Sequence, residues 1–389
     1  MKTAEHQHPA NAVFTSAAPT THTIQMLKKI LKFLRNVSIG VGLVIFGVWL
    51  YLAQPTFSSN TPTEVPIDTV RLQTVVKKLS IDFHPRSFRN TQNLNATADY
   101  IEAHFREAGG QVEIQEFSVS GTTFKNVRCF FGSKDAPRTI IGAHYDSHSQ
   151  TPGADDNASG VAGLIELAYL FGQNPPEHTI ELVAYTLEEP PFFASKKMGS
   201  YIHAESISKE GVTLSGVIAL EMIGYFTDDF DSQDYPALLF KLIYPNTGNF
   251  IAVVGKLDQR SFISSTKIGM KGATDLPVYS IAAPTQVPGI DFSDHRNYWE
   301  FGYDAVMITD TAFYRNQEYH KSDDTWDRLN YDKIKKTAPR ALQPPAIRRT
   351  SGRGCTQNNF DRAGSLATEG GQPPARAARC DRRCAHGCG

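Results

Sequence analysis

The chain has 389 residues, of which 41% are hydrophobic, so it can bury a sizeable core in one large or two ordinary domains. Its formal net charge of −1 gives no reason to expect a nucleic-acid partner or an acidic one. Four of the five cysteines lie at the far C-terminus, which excludes a disulfide framework in the body of the chain.

The N-terminal part predicts a membrane segment. Residues 1–25 are polar without a periodic pattern, and we expect a disordered cytoplasmic tail. Residues 26–55 join a basic flank to the uncharged stretch Val37–Ala53, which at about 17 residues is near the lower limit for a spanning helix. The positive-inside rule predicts a single-pass signal anchor with the N-terminus in the cytoplasm and the remainder outside, in the periplasm or extracellular space. The alternative is a cleaved signal peptide and a secreted protein, although no small-x-small cleavage site follows.

Composition divides the remainder into three parts. Residues 56–66 are rich in Ser, Thr and Pro, which is typical of a linker. Residues 67–337 have the apolar patterns of a globular domain. Residues 338–389 contain Arg, Ala, Gly and Pro with few large apolar side chains, which predicts a disordered low-complexity tail.

Strand and helix patterns alternate within residues 67–337. A helical pattern runs from Asn95 to the glycines at 109–110, and an amphipathic one from Ala158 to Phe171. The expected strands are 112–119, 124–131, 139–143, 178–187, 216–220, 250–254 and 305–309. This alternation predicts a three-layer α/β domain.

Histidine and acidic side chains follow several of these strands. His144 comes after one strand, Glu188 and Glu189 after the next, and Glu221 after a third, while His320 lies in a polar loop beyond residues 305–309. Ligands of open α/β sheets bind beyond the carboxyl ends of the strands, so we expect these side chains to lie close together. Imidazole and carboxylate groups are suitable ligands for a divalent metal.

The donor set suggests a two-metal hydrolase. One bridging carboxylate, with one imidazole and one terminal carboxylate per metal, would hold two zinc ions with open positions. A carboxylate that is not a ligand must then accept the proton of the attacking water, and the pair Glu188 and Glu189 can offer one ligand and one base. G-x-S-x-G and H-E-x-x-H are absent from the sequence, which excludes the serine hydrolases with that motif and the zincins.

Six segments in order resemble the di-zinc aminopeptidases of the aminopeptidase Y and glutamate carboxypeptidase family. They are G-A-H-Y-D-S at 142–147, P-G-A-D-D-N-A-S-G at 152–160, L-E-E-P-P-F-F at 187–193, A-L-E-M-I-G-Y at 219–225, S-D-H at 293–295 and Y-H-K-S-D-D-T at 319–325. The resemblance implies an α/β/α sandwich with a mixed, mostly parallel central sheet, in a bacterial membrane-anchored member. It also implies two Zn²⁺ per chain and a peptide substrate with a free N-terminus.

The resemblance also assigns roles to individual residues. His144, Glu221 and Asp156 would hold one zinc ion, and His320, Glu189 and the shared Asp156 the other. Glu188 would be the general base, Asp146 would orient His144 and Tyr319 would stabilise the oxyanion. The family more often has Asp at the position of Glu221, whose longer side chain still fits as a ligand. Asp155 is expected to be structural, and of the other histidines we considered (His148, His178, His203 and His295) only His295 is a candidate to line the pocket.

Two other functions remain open. A glutaminyl-peptide cyclotransferase has the same fold and many of the same ligands, but it keeps one zinc ion and forms an intramolecular amide. A catalytically inactive, receptor-like ectodomain is the second alternative, against which the complete ligand set argues.

Overall fold

The computed structural model describes residues 21–56, 66–133, 137–271 and 275–337. Within these ranges the strands are β1 (Gln111–Val119), β2 (Thr122–Phe131), β3 (Arg138–His144), β4 (Ile180–Tyr185), β5 (Leu214–Glu221), β6 (Ile251–Lys256), β7 (Val278–Ala283) and β8 (Ala305–Thr309). The α-helices are α1 (Thr21–Ala53), α2 (Thr69–Lys77), α3 (Thr91–Glu107), α4 (Gly160–Gln173), α5 (Gly199–Glu210), α6 (Arg260–Lys271), α7 (His295–Trp299) and α8 (Tyr331–Thr337).

The strands form one mixed sheet in the order β1-β2-β4-β3-β5-β8-β6-β7. Four neighbouring strands, β4, β3, β5 and β8, run parallel to one another. The β1–β2 hairpin joins one side antiparallel, and β6 pairs antiparallel with β8 on the other side before it pairs in parallel with β7. The carboxyl ends of the four parallel strands therefore meet at one edge of the sheet.

Helices cover both faces, which confirms the predicted three-layer α/β/α sandwich. Alternate residues of each central strand point to opposite faces, so Ile141 and Leu182 pack toward α4 while Ile140 and Val183 pack toward α5 and α7. Because the sheet is covered on both sides, nearly every residue of its central strands β3 and β4 is buried, and most of these residues are apolar.

The predicted strands are all present, with shifts of a few residues at their ends, and the structure adds one more. β7 was not predicted from the sequence. It is a short edge strand, Val-Tyr-Ser-Ile-Ala-Ala, and its serine breaks the apolar run that marked the other strands. Only its pairing with β6 defines it as part of the sheet.

Helix α1 is longer than the predicted membrane segment. It begins at Thr21, so residues 21–25 are helical and not part of a disordered tail, because no proline or glycine interrupts the pattern there. Residues 24–53 are long and apolar enough to cross a membrane and lie near the N-terminus, where a signal sequence has the same character. Residues 1–20, the linker residues 57–65 and the predicted tail 338–389 lie outside the described part of the chain.

Candidate metal centre

The candidate site lies at the edge of the sheet where the parallel strands end. His144 and Glu221 are the last residues of β3 and β5. Glu188 and Glu189 follow β4, and His320 lies in the loop after β8. The topology therefore brings together side chains that are up to 176 residues apart in the sequence, from position 144 to position 320.

Two groups of three ligands share Asp156. In the first group, His144 Nε2 lies 3.3 Å from Asp156 Oδ1 and 3.3 Å from Glu221 Oε2. In the second, His320 Nε2 lies 3.1 Å from Asp156 Oδ2 and 3.3 Å from Glu189 Oε2. The two oxygens of Asp156 thus face different histidines, which is the arrangement of a bridging carboxylate.

These spacings fit zinc coordination. A tetrahedron with metal–ligand bonds of about 2.0–2.1 Å has edges of about 3.3 Å, and the four distances from the histidine nitrogens to the carboxylate oxygens lie close to that edge. The Nε2 atom of His144 and the Oε1 atom of Glu189 are buried and have no hydrogen-bond partner among the described residues. His144 Nε2 is thus an unpartnered buried atom at tetrahedral spacing, as a metal site requires, and Glu189 has a second carboxylate oxygen without a partner.

Asp156 is held by a carboxylate, that of Asp324, which belongs to neither ligand group. The two oxygens of Asp324 accept hydrogen bonds from the backbone N–H groups of Asp155 and Asp156, at 3.0 and 3.1 Å. Asn157 links the same loop to the end of β5, since its amide donates to the carbonyl of Leu220 at 2.8 Å. These bonds fix the loop at the point where Asp156 must face both half-sites.

Asp155 ties the loop to the rest of the site and points away from the metal ligands. Its oxygens accept from the backbone N–H of Gly224 at 2.9 Å and from the side-chain amide of Asn316 at 3.0 Å. The buried Arg86 supports the other end of the loop, with Nη1 and Nη2 donating to the carbonyls of Pro152 and Gly153 at 2.8 Å each. Arg86 thus holds the loop backbone, while Asp155 anchors the loop to Gly224 and Asn316.

Asp146 positions the two glutamates after β4. Its carboxylate accepts from the backbone N–H of Glu188 at 3.2 Å and of Glu189 at 3.1 Å. The Nδ1 atom of His144 is 3.1 Å from the backbone carbonyl of Asp146 and 3.5 Å from its carboxylate. The hydrogen bond to the ring therefore involves the carbonyl, while the carboxylate lies close by and organises the Glu188–Glu189 turn.

Burial and crowding shift the pKa values in the cluster in opposite directions. Burial raises the pKa of Glu189 to about 8, and it also raises the pKa of Glu188 well above its ordinary value. Burial lowers the pKa of His320, but its hydrogen bonds to Asp156 and Glu189 outweigh this and raise it to about 10. For Asp156, burial raises the pKa, but the neighbouring imidazoles of His144 and His320 outweigh burial and lower it below its ordinary value. The cluster has more carboxylates than the two imidazoles can neutralise.

Comparison with known proteins places the chain in a family. The model of peptidase family M28 matches residues 126–343. The Escherichia coli (strain K12) protein with the description "Uncharacterized protein YfbL" is 46% identical over 289 residues, which cover 72% of this chain and 88% of that protein. The chain belongs to peptidase family M28.

Relatives of this M28 protein carry zinc-enzyme names. A probable zinc metalloprotease of Pyricularia oryzae is 29% identical over 180 residues, and the match spans only 36% of its length. The fold is shared with BSAP, a zinc aminopeptidase from Bacillus subtilis, at a TM-score of 0.57 and 14% identity over 72% of this chain and 96% of that one. It is also shared with a glutaminyl cyclase from Bacteroides thetaiotaomicron, at a TM-score of 0.53 and 18% identity over 71% and 96% of the two chains. The family and its relatives support a zinc metallopeptidase.

Aromatic rings stack around His320 in this M28 site. The ring of Tyr319 lies 3.7 Å from that of His320 at 19°, and the ring of His148 lies on the imidazole at 3.9 Å and 4°. Burial and the nearby carboxylates raise the pKa of Tyr319, so its hydroxyl stays protonated and able to donate. His148, which we did not expect to line the site, therefore packs directly against the candidate ligand His320.

The S-D-H segment contributes different residues from the one predicted. His295 is buried away from the ligands, with Nε2 2.8 Å from the carbonyl of Ile290, and does not line the pocket. Ser293 instead donates to Glu221 Oε2 at 2.8 Å. Burial raises the pKa of Asp294 to about 7, and its charge interacts with those of His144 and Glu221. A helix of five residues turns His295 away from the site, a local detail that the motif alone does not reveal.

An aromatic pocket adjoins the ligands. Glu221 and Tyr319 form part of its lining, and the remainder comes from the face of β6, β7 and β8 and from the loops that cover it. The space between its walls and at its open mouth, which includes solvent, is about 830 Å³. The aromatic side chains lining it are Tyr235, Phe240, Tyr244, Phe250, Tyr279, Phe292, Phe313, Tyr314 and Tyr319. The pocket can receive a large apolar side chain beside the metal ligands.

Proposed function

We propose that this protein is a di-zinc aminopeptidase. The observation that carries the proposal is the pair of ligand groups joined by Asp156, together with Glu188, which belongs to neither group. His144 and Glu221 would complete one zinc site, and Glu189 and His320 the other. Zinc ions at such positions polarise a carbonyl group and lower the pKa of water.

Glu188 has the position of a general base. Its Oε2 lies 3.9 Å from Nε2 of His144, so it faces the ligands without joining either group. Its backbone is fixed by Asp146. In the proposed reaction Glu188 accepts a proton from the attacking water and delivers it to the leaving amine, while the hydroxyl of Tyr319 donates to the oxyanion.

The shape of the site favours the N-terminus of a peptide as the substrate. The aromatic pocket beside Glu221 accepts the side chain of the first residue next to the candidate metal ligands. We therefore propose that the enzyme hydrolyses the first peptide bond and prefers large apolar or aromatic N-terminal residues.

The proposed location is a membrane surface. Helix α1 would remain as an uncleaved signal anchor, because no small-x-small cleavage site follows it, and the basic side chains at 28, 29, 32 and 35 before its uncharged part would set its orientation. This orientation places the N-terminus in the cytoplasm and the catalytic domain outside.

Metal content combined with a substrate panel tests the function. We expect two zinc ions per chain by atomic emission, and chelator-sensitive release of Phe and Leu from aminoacyl anilides. One zinc ion per chain with cyclisation of N-terminal glutamine would instead identify a glutaminyl cyclase. Absence of any chelator-sensitive turnover would favour the receptor-like alternative.

A further inference from the structure

The C-terminal end of α1 packs against the catalytic domain beside β7. Lys267 of α6 is only 3% exposed, and its ammonium group donates to the carbonyls of Ala53 at 2.8 Å and Gln54 at 3.1 Å. The hydroxyl of Ser280 in β7 donates to the same carbonyl of Ala53 at 2.9 Å and accepts from Lys267 at 3.2 Å. The last carbonyls of a helix lack intrahelical partners and carry partial negative charge. A buried ammonium group at this end supplies both the missing hydrogen bonds and an opposite charge.

Two more side chains of α6 hold the adjoining residues. The guanidinium of Arg260 lies 3.9 Å from the centre of the Tyr51 ring, and Lys271 Nζ donates to the carbonyl of Thr56 at 3.0 Å. The helix upstream, residues 24–48, is exposed, whereas Ala53 is 5% exposed. The contact is therefore confined to the last turn of α1 and the residues that follow.

The same contact reaches the aromatic pocket through Ser280. Ser280 lines the pocket, and its backbone carbonyl accepts a hydrogen bond from the hydroxyl of Tyr244 at 2.8 Å. Tyr244 is another wall of the pocket, and its ring packs edge-on against Tyr279 of β7. Strand β7 is an edge strand, so its outer side depends on these contacts.

We propose that the end of α1 is a permanent structural part of the catalytic domain, clamped by Lys267 and Ser280, and that this clamp holds one wall of the aromatic pocket. Cleavage after Ala53 would place a new α-ammonium group at Gln54, beside the buried ammonium of Lys267. The released chain would lose the Ala53 carbonyl that Lys267 and Ser280 share. The clamp thus favours an enzyme that works while attached to its N-terminal helix.

Cutting the chain between the helix and the domain tests the clamp directly. A site-specific protease sequence is inserted after Asn60 of the full chain, which is cleaved in mild detergent and separated by size-exclusion chromatography. We expect the α1 fragment to co-elute with the domain in the wild type and in the control Lys209→Met, an exposed lysine of α5. In the double variant Lys267→Met, Ser280→Ala the fragments should separate. Separation of the wild-type fragments would overturn the proposal.

Steady-state kinetics of the uncut chain test whether the clamp holds the wall of the aromatic pocket. This experiment rests on the proposed aminopeptidase activity. Lys267→Met should raise KM for a phenylalanyl anilide about fivefold, with little change in kcat and little change for an alanyl anilide. An equal effect on both substrates, or none, would contradict a role in the pocket wall. Ser280→Ala serves if Lys267→Met does not fold.

Sedimentation of the uncut chain with vesicles separates this inference from the membrane proposal. A chain that does not sediment refutes the anchor, while co-elution of the cut fragments still supports the clamp.

Discussion

Buried carboxylates lie near the start of strand β4 and just beyond its end. Cationic side chains surround the carboxylate near the start, whereas other carboxylates surround those beyond the end. Near its start, Glu181 is fully buried and accepts from Arg128 at 2.6 Å and Arg138 at 2.8 Å, with His203 at 3.0 Å. Burial raises the pKa of this carboxyl, but His203 and the two guanidinium groups outweigh it and lower the pKa to about 2. One carboxylate is thus surrounded by fixed cationic partners.

Beyond its end, the same strand leads to Glu188 and Glu189, which face other carboxylates. Burial raises the pKa of both, and for Glu188 the neighbouring Glu221 raises it further. The backbone N–H groups of Glu188 and Glu189 have hydrogen-bond partners, whereas the buried atoms His144 Nε2 and Glu189 Oε1 have none among the described residues. The side chains around this end of the strand do not supply enough positive charge to balance the carboxylates.

The difference shows how to separate structural from functional charge in a buried site. A buried ion pair with all its partners belongs to the fold, and removing one partner leaves an uncompensated charge. A buried cluster with excess carboxylates and unpartnered ligand atoms is incomplete without a cation. Both clusters contain histidine and acidic residues, so composition alone does not distinguish them.

Of the substitutions at the two ends of β4, the one at Glu188 is expected to have the largest effect, and that effect is on catalysis. Glu188→Gln removes the proposed proton acceptor and should lower kcat about 10²–10⁴-fold, because proton transfer to a positioned group contributes about that much. Zinc content should stay at the wild-type value, since Glu188 belongs to neither ligand group. Steady-state kinetics with metal analysis measure both.

Glu181→Gln is the matched control for that prediction. It changes a buried glutamate of the same strand region in the same way, and its kcat per folded molecule should stay near the wild-type value. A Glu188→Gln enzyme with nearly normal turnover would remove Glu188 from the mechanism.

Sequence patterns predicted that candidate ligands gather at one edge of the sheet, because two of them directly follow apolar strands. His144 and Glu221 end β3 and β5, so strand prediction and the strand-end rule together place them at one edge. The resemblance to a known family then supplied Asp156 as the bridge. The placement of His144 and Glu221 needs only local patterns and one rule about sheets, whereas Asp156 needs the resemblance as well.

The supporting residues could not be predicted in this way, because their roles depend on contacts over long sequence distances. Asp324 holds the backbone of Asp156 from 168 positions away. Arg86 belongs to no recognisable sequence motif, and only the folded chain shows it buried against the loop that carries Asp156. The clamp between Lys267 and the end of α1 likewise spans 214 positions.

The next largest effect is expected on stability, at the other end of β4. Glu181→Gln leaves Arg128 and Arg138 without a buried anion and should cost about 3–5 kcal/mol of unfolding free energy. Chemical denaturation of both proteins at pH 7 measures this. A loss below about 1 kcal/mol would mean that the guanidinium groups find other partners.

The pH dependence of that loss is a check on its cause. The pKa of Glu181 in the folded protein, about 2, is below the ordinary value of 4.5, so its stabilisation is complete above pH 4.5 and is lost as pH falls toward 2. The difference between wild type and Glu181→Gln should stay constant from pH 7 to pH 5. Below pH 4.5 it should shrink by at most about 1.4 kcal/mol per pH unit.

The smallest expected effect is a gain in stability for Glu188→Gln, opposite in sign to the loss expected for Glu181→Gln. This difference in sign separates the two ends of β4 most clearly. In the metal-free protein, Glu188→Gln removes one of several crowded carboxylates and should raise the unfolding free energy by about 1 kcal/mol. Denaturation after exhaustive chelation compares the variant with the wild type. Destabilisation of the size expected for Glu181→Gln would show that Glu188 is compensated by fixed partners, as Glu181 is. A gain in stability together with a loss of turnover is the combination expected of a residue kept for chemistry at the expense of the fold.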